Sequence, residues 1–221
     1  MTDGHEYAAN HLGATVTVLD NLIADGKLRP TIAVFVDPRN PFNSGQNRRA
    51  GEYITNRAFA DFLAEELVPQ IDATHRTLTQ ATGRTILGTS LGGLNSAYVG
   101  ATHSDVFENL AIQSPAFWAS PGIYDLFRNA DLAEQLDIYM TNGSGIAGDN
   151  GGATIMAGIL DEFGYDHTFT TANQGHSWGQ WRGQIDEALI RLVGPPIPEP
   201  ATGAIVAAAL GLVACRRRAA R

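Results

Sequence analysis

Residues 84–100 read RTILGTSLGGLNSAYVG. A short apolar run rich in β-branched residues leads into a serine set between two glycines, and a segment with helical spacing follows at once. The pentapeptide Gly88-Thr89-Ser90-Leu91-Gly92 is thus a GxSxG pattern at a strand-to-helix junction. Such a turn is so tight that side chains two residues either side of the serine would collide, hence glycine at both places. Gly93 removes another Cβ where the helix must pack close to its strand. The turn lifts the Ser90 hydroxyl out of the sheet, and the helix N-terminus with the Leu91 amide favours an anion developing beside it. Ser90 is therefore the candidate nucleophile, against the plainer reading of a glycine-rich turn.

On both sides of this junction, helix-spaced and strand-like segments alternate. Leu12, Val16, Leu19, Leu22 and Ile23 predict a helix stopped by Asp25-Gly26, and TIAVFVDP (31–38) predicts a strand. Phe59, Phe62, Leu63, Leu67 and Ile71 predict a second helix with a kink at Pro69. A helix to about Thr102 is followed by the strands NLAIQSPAF (109–117) and LDIYMTNG (136–143). Next come a helix with Ile155, Met156, Ile159, Leu160 and Phe163 inward, and the strand YDHTFTTA (165–172). Trp178, Trp181, Ile185, Leu189 and Leu192 stripe one last helix. The alternation implies an α/β fold: a mostly parallel sheet covered by helices on both faces, with ligands beyond the carboxyl ends of the strands.

Composition narrows the function classes. The 221 residues, 44% hydrophobic, suit one globular domain. Four of the 15 basic residues (Arg216, Arg217, Arg218 and Arg221) crowd the last six positions; the chain before Pro198 has 22 acidic and 11 basic residues, net about −11. That charge argues against a nucleic-acid surface and for a small-molecule partner. One cysteine, Cys215, and six scattered histidines supply no disulfide framework and no metal-ligand spacing, so no metal or other cofactor is implied.

A serine hydroxyl needs a base, and in an alternating fold of this kind the order along the chain is serine, acid, histidine. His167 falls inside a strand and reads as structural. His176 lies in the loop NQGHSWGQW (173–181) after the last strand, where a base can hang over the turn. Asp149 is the only carboxylate between Asp137 and Asp161, which makes it the candidate acid, or else a solvated turn residue. In the same loop Gly143, Gly145 and Gly148 spell GxGxxG, but no acidic residue follows at the end of a next strand to hold a ribose, so nucleotide binding is the weak rival.

The blocks GTSLGGLNSAYVGATHSDVFENLAIQSPAFW, VFVDP, RRAGEY, FADFLAEELVPQID, GYDHTF and GHSWGQWR together resemble the esterase family of α/β-hydrolases. That family includes enterochelin (ferric siderophore) esterases, S-formylglutathione hydrolases, feruloyl and acetylxylan esterases and mycobacterial mycolyltransferases, and the GHSWxxWR ending is most like the enterochelin-esterase branch. The resemblance runs from about Thr2 to Val193, giving a domain at 1–194. It implies an α/β-hydrolase fold and a serine esterase working through an acyl-enzyme. Ser90 would be the nucleophile, His176 the base and Asp149 the nearest match to the acid. Leu91 with the Gly4 and His5 loop would form the oxyanion hole. Trp118, Trp178 and Tyr7 are candidate walls of an aromatic acyl or siderophore pocket. In relatives a strand ending in Asp-Gly carries that oxyanion loop; here MTDGHEY opens at Asp3-Gly4, so the N-terminal strands are expected to be missing, through truncation or a late start.

Residues 195–221, with Pro-Glu-Pro, an apolar run from Ala204 to Cys215 and a basic cluster, resemble the PEP-CTERM sorting signal of exported bacterial envelope proteins. A sorting protease would then be a second partner and the cell envelope or exterior the location, although no signal peptide opens this sequence. Twelve apolar residues are short of the roughly 20 that a transmembrane helix needs. Two other functions use the same residues: an acyltransferase, and a non-catalytic envelope-attached binding module on the same fold.

Overall fold

The computed structural model describes residues 1–145 and 151–195. A small antiparallel pair, β1 (Arg39–Asn40) and β2 (Asn43–Asn47), stands apart from the main sheet. The main sheet is four parallel strands in spatial order: β3 (Thr85–Thr89), β4 (Asn109–Gln113), β5 (Asp137–Gly143) and β6 (Asp166–Ala172). The register runs Thr85 opposite Asn109 opposite Asp137 opposite Asp166. All four match strands expected from the sequence, and the alternation with helices is the α/β class.

Strand periodicity explains the two cores. Successive side chains point to opposite faces, so Ile86, Leu110, Ile112, Ile138 and Met140 enter one core, where Met156, Ile159 and Leu160 of the helix Gly152–Phe163 meet them. Leu87, Ala111 and Tyr139 enter the other, against Leu19 and Leu22 of the helix Thr15–Ala24 and Leu189 and Leu192 of the helix Ile185–Val193. Ile155, expected inward, is half exposed, because the helical stripe of Met156, Ile159 and Leu160 already faces the sheet.

Three expectations are corrected. The segment 31–38 forms no ladder strand; only Met1 and Thr2 lie between it and β3. Met1 N donates to Val34 O (2.8 Å), Val36 N to Met1 O (2.9 Å), and Thr2 N to Leu87 O (3.1 Å). The second helix is not one regular α-helix through Pro69. It runs as α-helix Arg57–Asp61, π-helix Phe62–Leu67 and α-helix Val68–Thr74. Proline has no N–H and its ring crowds the carbonyl four residues earlier, and the wider π turn absorbs that mismatch just before it. The last helix divides into Trp178–Arg182 and Ile185–Val193. Among the described residues no helix is long and apolar enough to cross a membrane; the tail 196–221 lies outside them.

The glycines of the turn leave no room for a Cβ, with backbone against Gly88 and buried side chains against Gly92. A Cβ on Gly88 would sit 2.3 Å from Gly92 O and 2.4 Å from Thr2 Oγ1, and one on Gly92 would sit 2.6 Å from the same Thr2 hydroxyl. Gly158, inside the helix Gly152–Phe163, meets nothing within 4 Å. Gly88→Ala is therefore expected to lower stability by about 2–4 kcal/mol. Gly158→Ala is expected to raise it by about 0.5–1 kcal/mol. Urea unfolding checks both, and equal effects would show that the turn tolerates a side chain.

Candidate active site

Ser90 occupies the junction of β3 and the helix Leu91–Thr102 with φ 59° and ψ −118°, a conformation that L-residues rarely adopt. Three hydrogen bonds hold it: Ser90 N donates to Gln113 O (2.9 Å), while Leu94 N (3.1 Å) and Ala116 N (2.9 Å) donate to Ser90 O. The hydroxyl projects to His176, whose Nε2 lies 3.0 Å from Oγ. The two residues are 86 positions apart in the chain.

The end of β4 organises the histidine side. Gln113 Nε2 donates to Trp181 O (2.9 Å) and Gln113 Oε1 accepts from Tyr7 Oη (2.9 Å). Ser114 Oγ donates to Gln180 Oε1 (3.1 Å). These bonds pin the turn Trp178–Arg182 to the sheet, and Trp181 then meets the His176 ring edge-on with centroids 4.9 Å apart. The backbone before His176 lies directly on the end of β5. A Cβ on Gly143 would come within 2.4 Å of Gln174 O, and one on Gly145 within 2.9 Å of the same atom. Gly145 N donates to that carbonyl at 3.0 Å. Close approach of the histidine loop therefore accounts for these two glycines without a nucleotide.

On the other side, Arg49 grips buried Asp3 with two bonds (Nε to Oδ1 2.7 Å, Nη2 to Oδ2 2.8 Å) and adds a third to Thr89 O (3.2 Å). Asp3 N donates to Tyr53 Oη (2.8 Å). This ties the chain's first residues to the base of the serine turn. His176 is held below its ordinary value of 6.5 by burial against its neighbours and, second, by the positive charge of Arg49. A base with a lowered pKa stays neutral, and able to accept a proton, further into the acid range.

The structure sorts the remaining candidates. The Leu91 amide opens its helix, where no i−4 carbonyl exists to take it. Gly4 cannot supply a donor, because its amide is engaged with Val36 O at 2.8 Å. The His5 amide follows at the second position of the short helix Gly4–Ala8, likewise without an intrahelical acceptor, and the His5 Nδ1 lies 3.2 Å from Asp37 Oδ1. Tyr7 is fully buried and so belongs to the core, not to a pocket wall. Trp178 is clamped edge-on between Tyr7 (4.9 Å) and Trp181 (5.1 Å). Trp118 is 65% exposed, two residues after the Ala116 amide that bonds Ser90. Asp149 lies in residues 146–150, outside those described. His167 sits in β6 with Nδ1 3.0 Å from Tyr165 O, a structural role. Arg49, Gln113, Gln174 and Trp181 were not singled out as site residues by the sequence; only their types, a planar cation, two amides and an indole, hinted at such work.

Among the described residues one trio could hold a cation: Asp61, Glu65 and His103, with ligand atoms within 4.8 Å of one another. Asp61 is already paired with Arg57, and His103 caps the far end of the helix Leu91–Thr102, about 18 Å along its axis from Ser90.

The family described as "Putative esterase" matches residues 1–192. The fold and the serine turn thus stand in a chain that belongs to this esterase family. YjcH of Bacillus subtilis is 24% identical over 201 residues, covering 86% of this chain and 82% of that protein. An endo-1,4-β-xylanase/feruloyl esterase of Xylanibacter ruminicola is 32% identical over 96 residues, 43% of this chain and 13% of that one. Among solved structures, the enterobactin esterase of Shigella flexneri crystallised in the presence of enterobactin superposes with a TM-score of 0.73 at 22% identity. That match covers 86% of this chain, which spans about half, 49%, of the esterase.

Arg49→Met leaves the Asp3 carboxylate buried without its partner and is expected to cost about 3–5 kcal/mol, most of it regained in Asp3→Asn/Arg49→Met. In that double variant the His176 titration, followed by NMR, is expected to move upward, since no cation opposes the imidazolium. An unmoved titration would assign the lowering to burial alone.

Proposed function

We propose that this chain is a serine esterase that cleaves a small-molecule carboxylic ester through an acyl-enzyme. The observation that carries the reading is the 3.0 Å contact between Ser90 Oγ, raised on a strained turn, and His176 Nε2. With the imidazole neutral and protonated on Nδ1, Nε2 accepts the Ser90 proton as Oγ bonds to the ester carbonyl carbon. The Leu91 amide, with that of His5, receives the oxyanion at the positive end of the helix. Collapse of the adduct breaks the bond to the alkoxy oxygen, which takes the proton from Nε2 and leaves as the alcohol. Water then repeats the sequence, giving its proton to Nε2 and releasing the acid.

The acid partner is proposed to be Asp149. In support, its loop leaves β5 beside Gln174, two residues before His176, where a carboxylate could orient Nδ1. The proposed substrate class is supported by the names of relatives, esterases of enterobactin and of feruloyl groups, and by the exposed indole of Trp118 near the serine. In the same proposal the tail 195–221 delivers the domain to the envelope and is read by a sorting protease.

Labelling with a fluorophosphonate probe tests the mechanism. Wild type should label at Ser90, Ser90→Ala should not label, and His176→Ala should label at least about 100-fold more slowly. A folded wild type that fails to label sinks the catalytic reading, and an Asp149→Asn variant with nearly full turnover removes Asp149 from it.

A further inference from the structure

The helix that opens after Ser90 ends at Thr102, and the backbone of the next residue is firmly fixed. His103 N donates to Val99 O (2.8 Å), and His103 O accepts from Val106 N (3.0 Å) and Phe107 N (2.9 Å). The residue is only 5% exposed. Thr102 Oγ1 donates its one proton to Tyr98 O (2.9 Å), so toward His103 Nδ1, 3.0 Å away, it acts as an acceptor. Nδ1 therefore carries a hydrogen, and in the neutral ring Nε2 is a bare lone pair.

That nitrogen faces two carboxylates on a neighbouring helical stretch. Asp61 Oδ1 lies 3.0 Å from Nε2 and Glu65 Oε1 lies 4.0 Å from it. Nε2 is buried, yet among the described residues it makes no hydrogen bond. At 3.0 Å the aspartate is near enough to bond, so the direction is what fails: Oδ1 stands off the axis of an Nε2–H. A protonated ring would leave that N–H unbonded, and a neutral ring would set a lone pair beside an anion. Both are unfavourable away from water. A cation seated among the three groups satisfies all of them.

The donor set selects the cation. One imidazole nitrogen and two carboxylate oxygens, without a thiolate, suit zinc. Calcium takes about six to eight oxygens and magnesium binds carboxylates and water, so neither uses the buried imidazole. Around tetrahedral zinc, with bonds of about 2.0–2.2 Å, ligand atoms stand about 3.3–3.6 Å apart. The three groups here offer ligand atoms within 4.8 Å of one another, and the two Nε2 separations fall on either side of that spacing. Rotations of the exposed Glu65 and the partly exposed Asp61 close the set around a fixed His103. Arg57 Nε bonds Asp61 Oδ1 (2.5 Å), but this is an exposed i,i+4 pair, weak enough for a divalent ion to displace.

We propose that Asp61, Glu65 and His103 form a zinc site, with water in the fourth position, that clips the helical stretch 57–74 to the end of the helix Leu91–Thr102. His103 stands 42 residues from Asp61 and 38 from Glu65, so no ligand spacing shows in the sequence. The site takes no part in the ester chemistry; it fixes one end of the helix whose other end holds Ser90. Because the ligands converge only in the folded chain, zinc stabilises that chain by mass action.

Zinc titration of the full chain, by calorimetry and thermal unfolding, tests it. Cys215→Ser serves as the parent, so that the one thiol cannot bind the metal. One equivalent is expected to bind, raising the unfolding midpoint by about 2–4 °C and shifting the His103 Nε2 resonance in NMR spectra. Glu65→Gln, on an exposed side chain that the fold does not need, is expected to weaken zinc binding by about tenfold or more. His167→Gln, at another histidine beside a carboxylate (Asp161, 3.6 Å), is expected to leave it unchanged. Parental affinity in Glu65→Gln, loss of binding in His167→Gln, an unmoved Nε2 resonance or an equal response to magnesium each overturns the proposal.

Discussion

The left-handed turn at Ser90 holds only while its neighbours stay where they are. A residue at φ 59° and ψ −118° is strained by about 1–3 kcal/mol, and the strain persists because the surroundings over-determine it. The Ser90 amide is held by β4, its carbonyl by Leu94 of the following helix and by Ala116 beyond β4. No Cβ fits at Gly88 or Gly92, since each would meet the turn's own backbone or the Thr2 hydroxyl. The register of β3 against β4, the start of a helix and the first residues of the chain thus converge on one serine.

The residues that serve the turn also serve the histidine. Gln113, whose carbonyl fixes the Ser90 amide, uses its side chain to hold Trp181 O and the Tyr7 hydroxyl. One residue at the carboxyl end of β4 therefore sets serine and histidine in a common frame, which is how groups 86 positions apart reach 3.0 Å. Such precision favours chemistry at a site built from strand ends, where the scaffold is stiff and the loops are free to vary.

Electrostatics adds a second link. The Asp3 carboxylate is removed from water and compensated by a bidentate arginine, an arrangement in which losing one partner is far more damaging than losing both. The same guanidinium helps keep the His176 imidazole neutral. Arg49 thereby couples the fold of the N-terminal turn to the proton affinity of His176.

Sequence periodicity alone determined the four parallel strands and the helices on both faces, because apolar spacing is a local property, while the glycine-serine pattern and the order of residues along the chain singled out Ser90 and His176 as candidates. The π turn before Pro69, which the proline itself imposes, and the break at Gly183 and Gln184 are finer than apolar spacing resolves. Tertiary structure likewise decided which amides are free: Gly4 is bound to Val36 while His5 is not, a difference between adjacent residues that no composition reveals. It buried Tyr7, exposed Trp118, and brought in Arg49, Gln113 and Trp181, whose roles arise from contacts with residues distant in the chain. Whether a segment such as 31–36 becomes a strand is also nonlocal, since a ladder needs a neighbour on its edge, and β-branched residues can prepare an extended backbone but cannot provide the partner.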